Sequence, residues 1–221
     1  MALLAAYKVL LCHHTKQTDM VVGTGIGGRN HSEIEPLIGF FVNTLPLRTD
    51  LSGDPDFREL LRRVREVCLE AYAHQDLPFE KLVEELQPRR DPVHPPIVQV
   101  MFILENAPLP ELRLADLAVA SVPIDSASAK FPLALLAFET AGNITCLFEF
   151  NTALFDAETI SRFAKEYEAI LEQVTEQPAV GLSAIMEALQ NRAEQHRRQR
   201  ESRYEEVVRG KLKDLTSRVV G

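Results

Sequence analysis

The sequence predicts an α/β domain, one mixed β-sheet covered by helices, with a charged helix appended behind it. Three observations carry this. Runs with apolar residues at helical spacing alternate with short β-prone runs from the first residues to about 184. Acidic residues stand where two of the helices begin, at Asp54-Pro55 and Asp156. From Ile185 to about Val208 the composition turns to Glu, Gln and Arg, and between Leu189 and Tyr204 no apolar stripe remains.

The elements follow in order. Residues 2–14 carry Leu3, Leu4, Tyr7, Leu10 and Leu11 at helical spacing, the pattern of a core helix. Asp19 to Gly23 reads as a short buried strand. A glycine-rich loop, Gly23 to Asn30, follows it. Leu37 to Arg48 is apolar and β-prone. Asp54 is placed to cap a helix with Pro55 in its first turn. That helix turns Phe57, Leu60, Leu61, Val64, Cys68, Ala71 and Tyr72 inward and Arg58, Arg62, Arg63, Arg65, Glu66 and Glu70 outward. Pro78 opens a shorter helix with Phe79, Leu82, Val83 and Leu86 on its inner side. Gln87 to Pro96 holds four prolines and reads as a loop.

Ile97 to Leu104 is apolar but for Gln99, which suits a strand covered on both faces. Residues 111–122 read as another strand. Leu133 to Glu139 and Ile144 to Phe150 read as a hairpin across Ala141-Gly142-Asn143. Asp156 caps a long helix whose buried stripe is Ile160, Phe163, Tyr167, Ile170, Leu171 and Val174. The domain is expected to span 1–184. Residues 185–221 are expected to form a charged helical tail, solvated or ordered by a partner.

Composition excludes several function classes. Hydrophobic residues are 46% of the 221, enough for a sizeable core. The formal net charge is -8 and no basic stripe interleaved with aromatics exists, so nucleic acid is not expected as a partner. The cysteines, Cys12, Cys68 and Cys146, are far apart and lack CxxC spacing, so they imply neither a zinc site nor a disulfide framework. They read as small buried hydrophobes, and a reducing cytoplasm fits them. No apolar run is long enough for a membrane span, so no membrane partner is expected.

Two motifs invite chemistry and fail on context. Gly23, Gly25 and Gly28 match GxGxxG after a short apolar strand. A dinucleotide fold needs a helix to begin at once, to meet the pyrophosphate with its N-terminus. Here Arg29-Asn30-His31-Ser32-Glu33 and Pro36 follow, so a tight turn at a sheet edge is the expected structure. His13-His14 with Asp19 is similar to the HHxxxDG signature of acyltransferases. Asp19 comes one residue too late, however, and Met20 stands where Gly belongs. A helix C-terminus favours cationic side chains, which accounts for the pair without catalysis. No catalytic residue and no metal ligand is assigned from spacing.

Five segments in order resemble the later motifs of condensation domains in nonribosomal peptide synthetases. Gly23 to Arg29-Asn30 resembles GTPxxGRN. Ile38-Gly39-Phe40-Phe41-Val42-Asn43-Thr44-Leu45-Pro46-Leu47-Arg48 resembles IGxFVNTxxxR. His74-Gln75-Asp76-Leu77-Pro78-Phe79-Glu80 resembles HQDxPFE. Arg90-Asp91 with Pro95 to Phe102 resembles RDxSRNPLFQVMF. Phe150-Asn151 to Phe155-Asp156 resembles EYNxxLFD. The likeness runs from residue 2 to about 184. Val93-His94-Pro95 stands where the fourth motif has Ser-Arg-Asn, Pro132 stands where the family has Asp, and the charged tail replaces the linker to an adenylation domain.

The resemblance implies a chloramphenicol-acetyltransferase-like lobe, the C-terminal one of two that form a V around a tunnel. It implies amide-bond formation between aminoacyl or peptidyl thioesters tethered to carrier proteins. The phosphopantetheine arms of those carriers enter as substrates, and no cofactor is bound directly. HHxxxDG lies in the N-terminal lobe, so the chain alone is expected to be inactive. The implied partners are an N-terminal condensation lobe, peptidyl carrier proteins and a second copy of the chain. By position, Asn43 faces the substrate tunnel and Arg29 lies at the lobe interface, paired with the missing aspartate. Gln75, Asp76, Arg90 and Asp91 are structural motif residues, Asp76 as the cap of the short helix. The alternative is a non-catalytic docking module that binds a carrier protein or partner chain through its surface and tail helix.

Overall fold

The computed structural model describes residues 1–30, 32–89, 91, 95–105, 128–140, 142–195 and 197–198. The expected strand at 111–122 lies outside them, as does Arg90. The described elements are α1 (Ala2–Thr15), β1 (Asp19–Ile26), β2 (Asn43–Asp50), α2 (Phe57–Ala73), α3 (Phe79–Leu86), β3 (Val100–Glu105), β4 (Leu133–Thr140), β5 (Asn143–Phe150) and α4 (Ala157–Glu176). A further helix, α5, begins at residue 182 and runs through 195.

The strands form one mixed sheet in the order β2-β1-β3-β4-β5. The outer pairs, β1 with β2 and β4 with β5, are antiparallel. The inner pairs, β1 with β3 and β3 with β4, are parallel. Side chains alternate across the strands as the two-residue period requires. Met20, Val22, Leu45, Leu47, Phe102, Leu133 and Leu135 point into the main core, which α1, α2, α4 and α5 complete. Val21, Met101, Ile103, Ala134 and Leu136 point the other way into a small second cluster with Val98, Phe79 and Phe131.

Helix α1 is buried almost all round, from Leu4 through Leu10, because it packs on both α2 and α4. Ala5 and Ala6 let its neighbours approach. The Tyr7 ring sits among Phe102, Phe148 and Tyr167, with centroids 6.2–6.4 Å apart. Lys16 ends α1 in a left-handed conformation, its N–H donating to Cys12 O at 2.9 Å. The centres of the α2 and α4 stripes are buried as their periodicity predicts, with Leu61, Ala71 and Leu171 half-buried at the margins and Tyr72 left outside.

Several boundaries differ from the sequence reading. Strand β1 continues to Ile26, so Gly23 and Gly25 lie inside a strand paired with β2 rather than in a turn. Strand β3 begins at Val100, because Pro95-Pro96 and a positive φ of 62° at Ile97 delay it. Asp56, not Asp54, caps α2, its Oδ1 accepting from Glu59 N at 2.8 Å. Asp54 serves α5 instead, accepting from Ser183 N and Ser183 Oγ, each at 2.8 Å. Leu182, Ile185 and Leu189 are buried in the main core. The packed body therefore runs through Leu189, five residues beyond the boundary at 184, and past that point the described residues of α5 include no buried one.

Candidate functional site

Strand β1 leaves the sheet at Ile26 and the chain returns as β2 at Asn43. The connection holds two of the motif segments, and two polar side chains fold it. Gly28 turns the chain with φ of 60°, and a side chain there would collide with Phe41 O. Arg29 gathers the loop around itself. Its Nη1 donates to Ile34 O at 2.6 Å, Glu35 O at 3.0 Å and Leu37 O at 2.7 Å. Its guanidinium lies 4.4 Å over the Phe41 ring.

The loop presents three of its apolar side chains most fully outward. Ile38 is 104% exposed, Phe40 92% and Val42 55%. Gly23 is needed for packing, since Val98 and Met101 occupy the space its Cβ would take. Together with the strand that follows Gly23 and the missing helix after Gly28, this leaves the glycine pattern without a phosphate cradle.

Asn43 joins this loop to the turn between α2 and α3. Its Nδ2 donates to Gln75 O at 2.9 Å and Leu77 O at 2.8 Å. Its Oδ1 accepts from Thr44 N at 2.9 Å and Phe79 N at 3.0 Å. The amide thus uses both hydrogens and both lone pairs, and it supplies the acceptor at the start of α3 that the sequence reading assigned to Asp76. Asp76 instead accepts from Asn30 Nδ2 at 2.7 Å, a second tie between the same two loops. Gln75 contributes its backbone carbonyl. Asp91 is exposed in the loop before β3. The geometry therefore brings together Arg29, Asn30, Asn43, Gln75 and Asp76. The capping role of Asn43 was invisible in the sequence because donor and acceptor are 36 positions apart.

The histidine pair closes α1, and Asp19 is engaged elsewhere. Arg48 holds Asp19 in a two-pronged pair, Nε to Oδ1 at 2.9 Å and Nη2 to Oδ2 at 2.6 Å. That contact keeps the Asp19 carboxyl below its usual pKa. His14 bonds Glu166 of α4, Nε2 to Oε2, at 2.5 Å. Burial, then the neighbouring His14 and Lys16, pushes the pKa of His13 down.

The condensation-domain family profile matches residues 1–196. The chain belongs to the condensation-domain family. The matched stretch is the C-terminal portion of such a domain. Over 188 residues it is 46% identical to "Malpinin synthetase" of Mortierella alpina, covering 84% of this chain and 2% of that protein. Over 185 residues it is 42% identical to "Tyrocidine synthase 3" of Brevibacillus parabrevis, covering 84% of this chain and 3% of that protein. It thus spans a small part of the curated relatives it matches. Among solved structures, it resembles the X-domain in "Complex of the X-domain and OxyB from Teicoplanin Biosynthesis". The TM-score is 0.72 and the identity 32%, over 83% of this chain and 41% of that one. It shares its fold with a four-domain nonribosomal peptide synthetase, holo-AB3403, at TM-score 0.75 and 23% identity, over 82% of this chain and 15% of that one. Among the described residues no helix is long and apolar enough to cross a membrane.

Proposed function

We propose that this chain forms the C-terminal wall of an amide-forming condensation site, with an N-terminal lobe supplying the acyl-transfer histidine. Two carrier proteins would present their phosphopantetheine-tethered thioesters in the cleft between the lobes. The acceptor amine would attack the donor carbonyl. The carbon–sulfur bond would break, and the freed thiol would leave with the proton given up by the amine.

The observation that carries this reading is the convergence of two motif segments on Asn43, with a third tied to them through Asn30 and Asp76, beside a loop that turns Ile38, Phe40 and Val42 outward. Monomeric domains seldom leave such side chains clustered without a surface to meet them. In this reading Asn43 positions the tunnel wall by holding the turn at Gln75 to Phe79. Arg29 shapes the lobe interface through the loop it gathers. No catalytic residue is assigned to this chain. The three cysteines are free, in keeping with the cytoplasm.

The test is complementation. The chain is mixed with a condensation-domain N-terminal lobe and two loaded carrier proteins, and peptide on the acceptor carrier is followed by mass spectrometry. Product from the mixture, but from neither lobe alone, is the expected result. Lobes that neither associate nor form a peptide would refute the proposal.

A second reading, a docking module without chemistry, draws on α5, which continues with exposed residues past Leu189. Deleting residues 190–221 would then abolish binding to a carrier or partner chain. Unchanged binding would count against it.

A further inference from the structure

The end of α1 holds a cluster that the condensation reading does not use. Neighbouring residues on a helix point about 100° apart, so adjacent histidines ordinarily serve different surroundings. Here the rings of His13 and His14 meet edge to face with centroids 5.0 Å apart. Both face α4, which offers Glu166, whose side chain is only 10% exposed. One ligand atom from each of the three residues lies within 4.8 Å of the others.

The His14–Glu166 contact could be an ion pair and nothing more. That explanation leaves His13 unaccounted for. Its Nδ1 is shielded from solvent and has no hydrogen-bond partner among the described residues. A buried ring nitrogen without a partner is unfavourable, because it has given up water and gained nothing. Such a nitrogen is the kind of donor that a metal ion takes. The ring of His14 is meanwhile fixed against Phe163, 4.2 Å between centroids, so its nitrogen is already aimed.

We propose that His13, His14 and Glu166 form a divalent transition-metal site of the zinc class that fastens the end of α1 to α4. Two imidazoles and a carboxylate are a donor set that zinc accepts, with a fourth position for water. Around a tetrahedral zinc the ligand atoms stand about 3.3 Å apart. His14 and Glu166 must therefore separate slightly and His13 must draw closer, movements within reach of side-chain rotation. Arg162 Nε lies 3.9 Å from Glu166 Oε1 and repels a cation. Binding is accordingly expected in the micromolar range rather than tighter.

The full 221-residue chain, stripped with EDTA, is titrated with Co2+ by visible absorption and with Zn2+ by calorimetry and thermal melting. One equivalent should bind. Cobalt should show d–d bands without thiolate charge transfer, and the melting temperature should rise with Zn2+ concentration. His13→Ala and Glu166→Gln should each weaken Zn2+ affinity by about a hundredfold or more. His74→Ala, at an exposed histidine, should leave it unchanged. If Glu166→Gln does not fold, His13→Ala decides, because His13 Nδ1 has no hydrogen bond to lose among the described residues. The proposal is overturned if the folded chain binds no metal, if His13→Ala binds as tightly as the parent chain, or if thiolate bands place the metal on cysteine. Loss of metal binding would leave the condensation reading untouched, and failed complementation would leave the metal site untouched.

Discussion

Two regions of this chain use apolar residues in opposite ways. Around α1, every residue from Leu4 to Leu10 is buried, and the helix is enclosed by the sheet, α2 and α4. In the loop from Gly27 to Val42, Ile38 and Phe40 stand in solvent. The core is closed by the chain's own side chains. The loop is held mainly by hydrogen bonds instead, through Arg29 and Asn43, with Phe41 stacked under Arg29, while Ile38 and Phe40 pack on nothing within the chain. Hydrophobic character alone does not say where a residue goes. In the loop, polar brackets fix the backbone so that apolar groups are displayed.

This contrast can be broken most forcefully in the core. Leu135 is fully buried in the central region of the sheet. Leu135→Ala should cost about 3–4 kcal/mol in urea unfolding, the loss of transfer energy plus a cavity. A cost below about 1 kcal/mol would mean that the core is loosely closed and that the two regions are alike.

The core also encloses one charge. Lys8 is 0% exposed and donates to Leu47 O at 2.7 Å. Burial pushes its pKa down from 10.5 to about 8, against smaller opposing effects of Cys68 and Asp19. The unfolded chain keeps this lysine protonated up to about pH 10.5, whereas the folded chain releases the proton near 8. Between those values the unfolded state binds more protons, so stability should climb as pH rises from 8, by up to about 3 kcal/mol. The buried Tyr7 and Tyr167, whose pKa values are raised by burial, act in the opposite sense above pH 10. The thiols of Cys12, Cys68 and Cys146, also raised by burial, oppose the rise from about pH 9. The clearest window is therefore pH 8 to 9, and Lys8→Met should flatten the rise there in chemical denaturation curves.

The bracket of the loop comes next. Asn43→Ala removes four hydrogen bonds and should cost about 2 kcal/mol. Asn43→Asp sharpens the comparison. It keeps the acceptor for Phe79 N and sets a carboxylate against the carbonyls of Gln75 and Leu77. If the donors matter, as the geometry states, Asp should be no better than Ala. Asp54→Ala, which removes the cap of α5, should cost about 1 kcal/mol.

What the sequence made legible follows the same division. The inward stripes of α2 and α4, and the β4–β5 hairpin with its Gly142 at φ 84°, were readable because each depends on residues a few positions apart. The order of the motif segments was readable for the same reason. The long-range contacts were not. Asn43 bonds Phe79 and Asp54 bonds Ser183, 36 and 129 positions away, and no local pattern announces either. Gly23 read as the point where the strand gives way to a loop, because glycine is rare in strands, yet β1 runs on to Ile26, and at Gly23 Val98 and Met101 leave no room for a side chain. The buried length of α5 was missed because the polar composition that follows Leu189 was carried back to Ile185, and only the packing shows that Ile185 and Leu189 face the core.

The smallest expected effect is the most discriminating. Phe40→Ser should change the stability of the isolated chain by no more than about 0.5 kcal/mol, because a side chain 92% exposed has no packing to lose. The same substitution should weaken association with an N-terminal lobe by at least about tenfold in sedimentation or calorimetry, since exposed aromatics at the centre of an interface carry much of its energy. The two readouts separate display from structure. A large loss of stability would show that Phe40 packs within the chain and that the loop is a second core. No change in either readout would remove the loop from the interface and leave its exposed apolar side chains without a role in condensation.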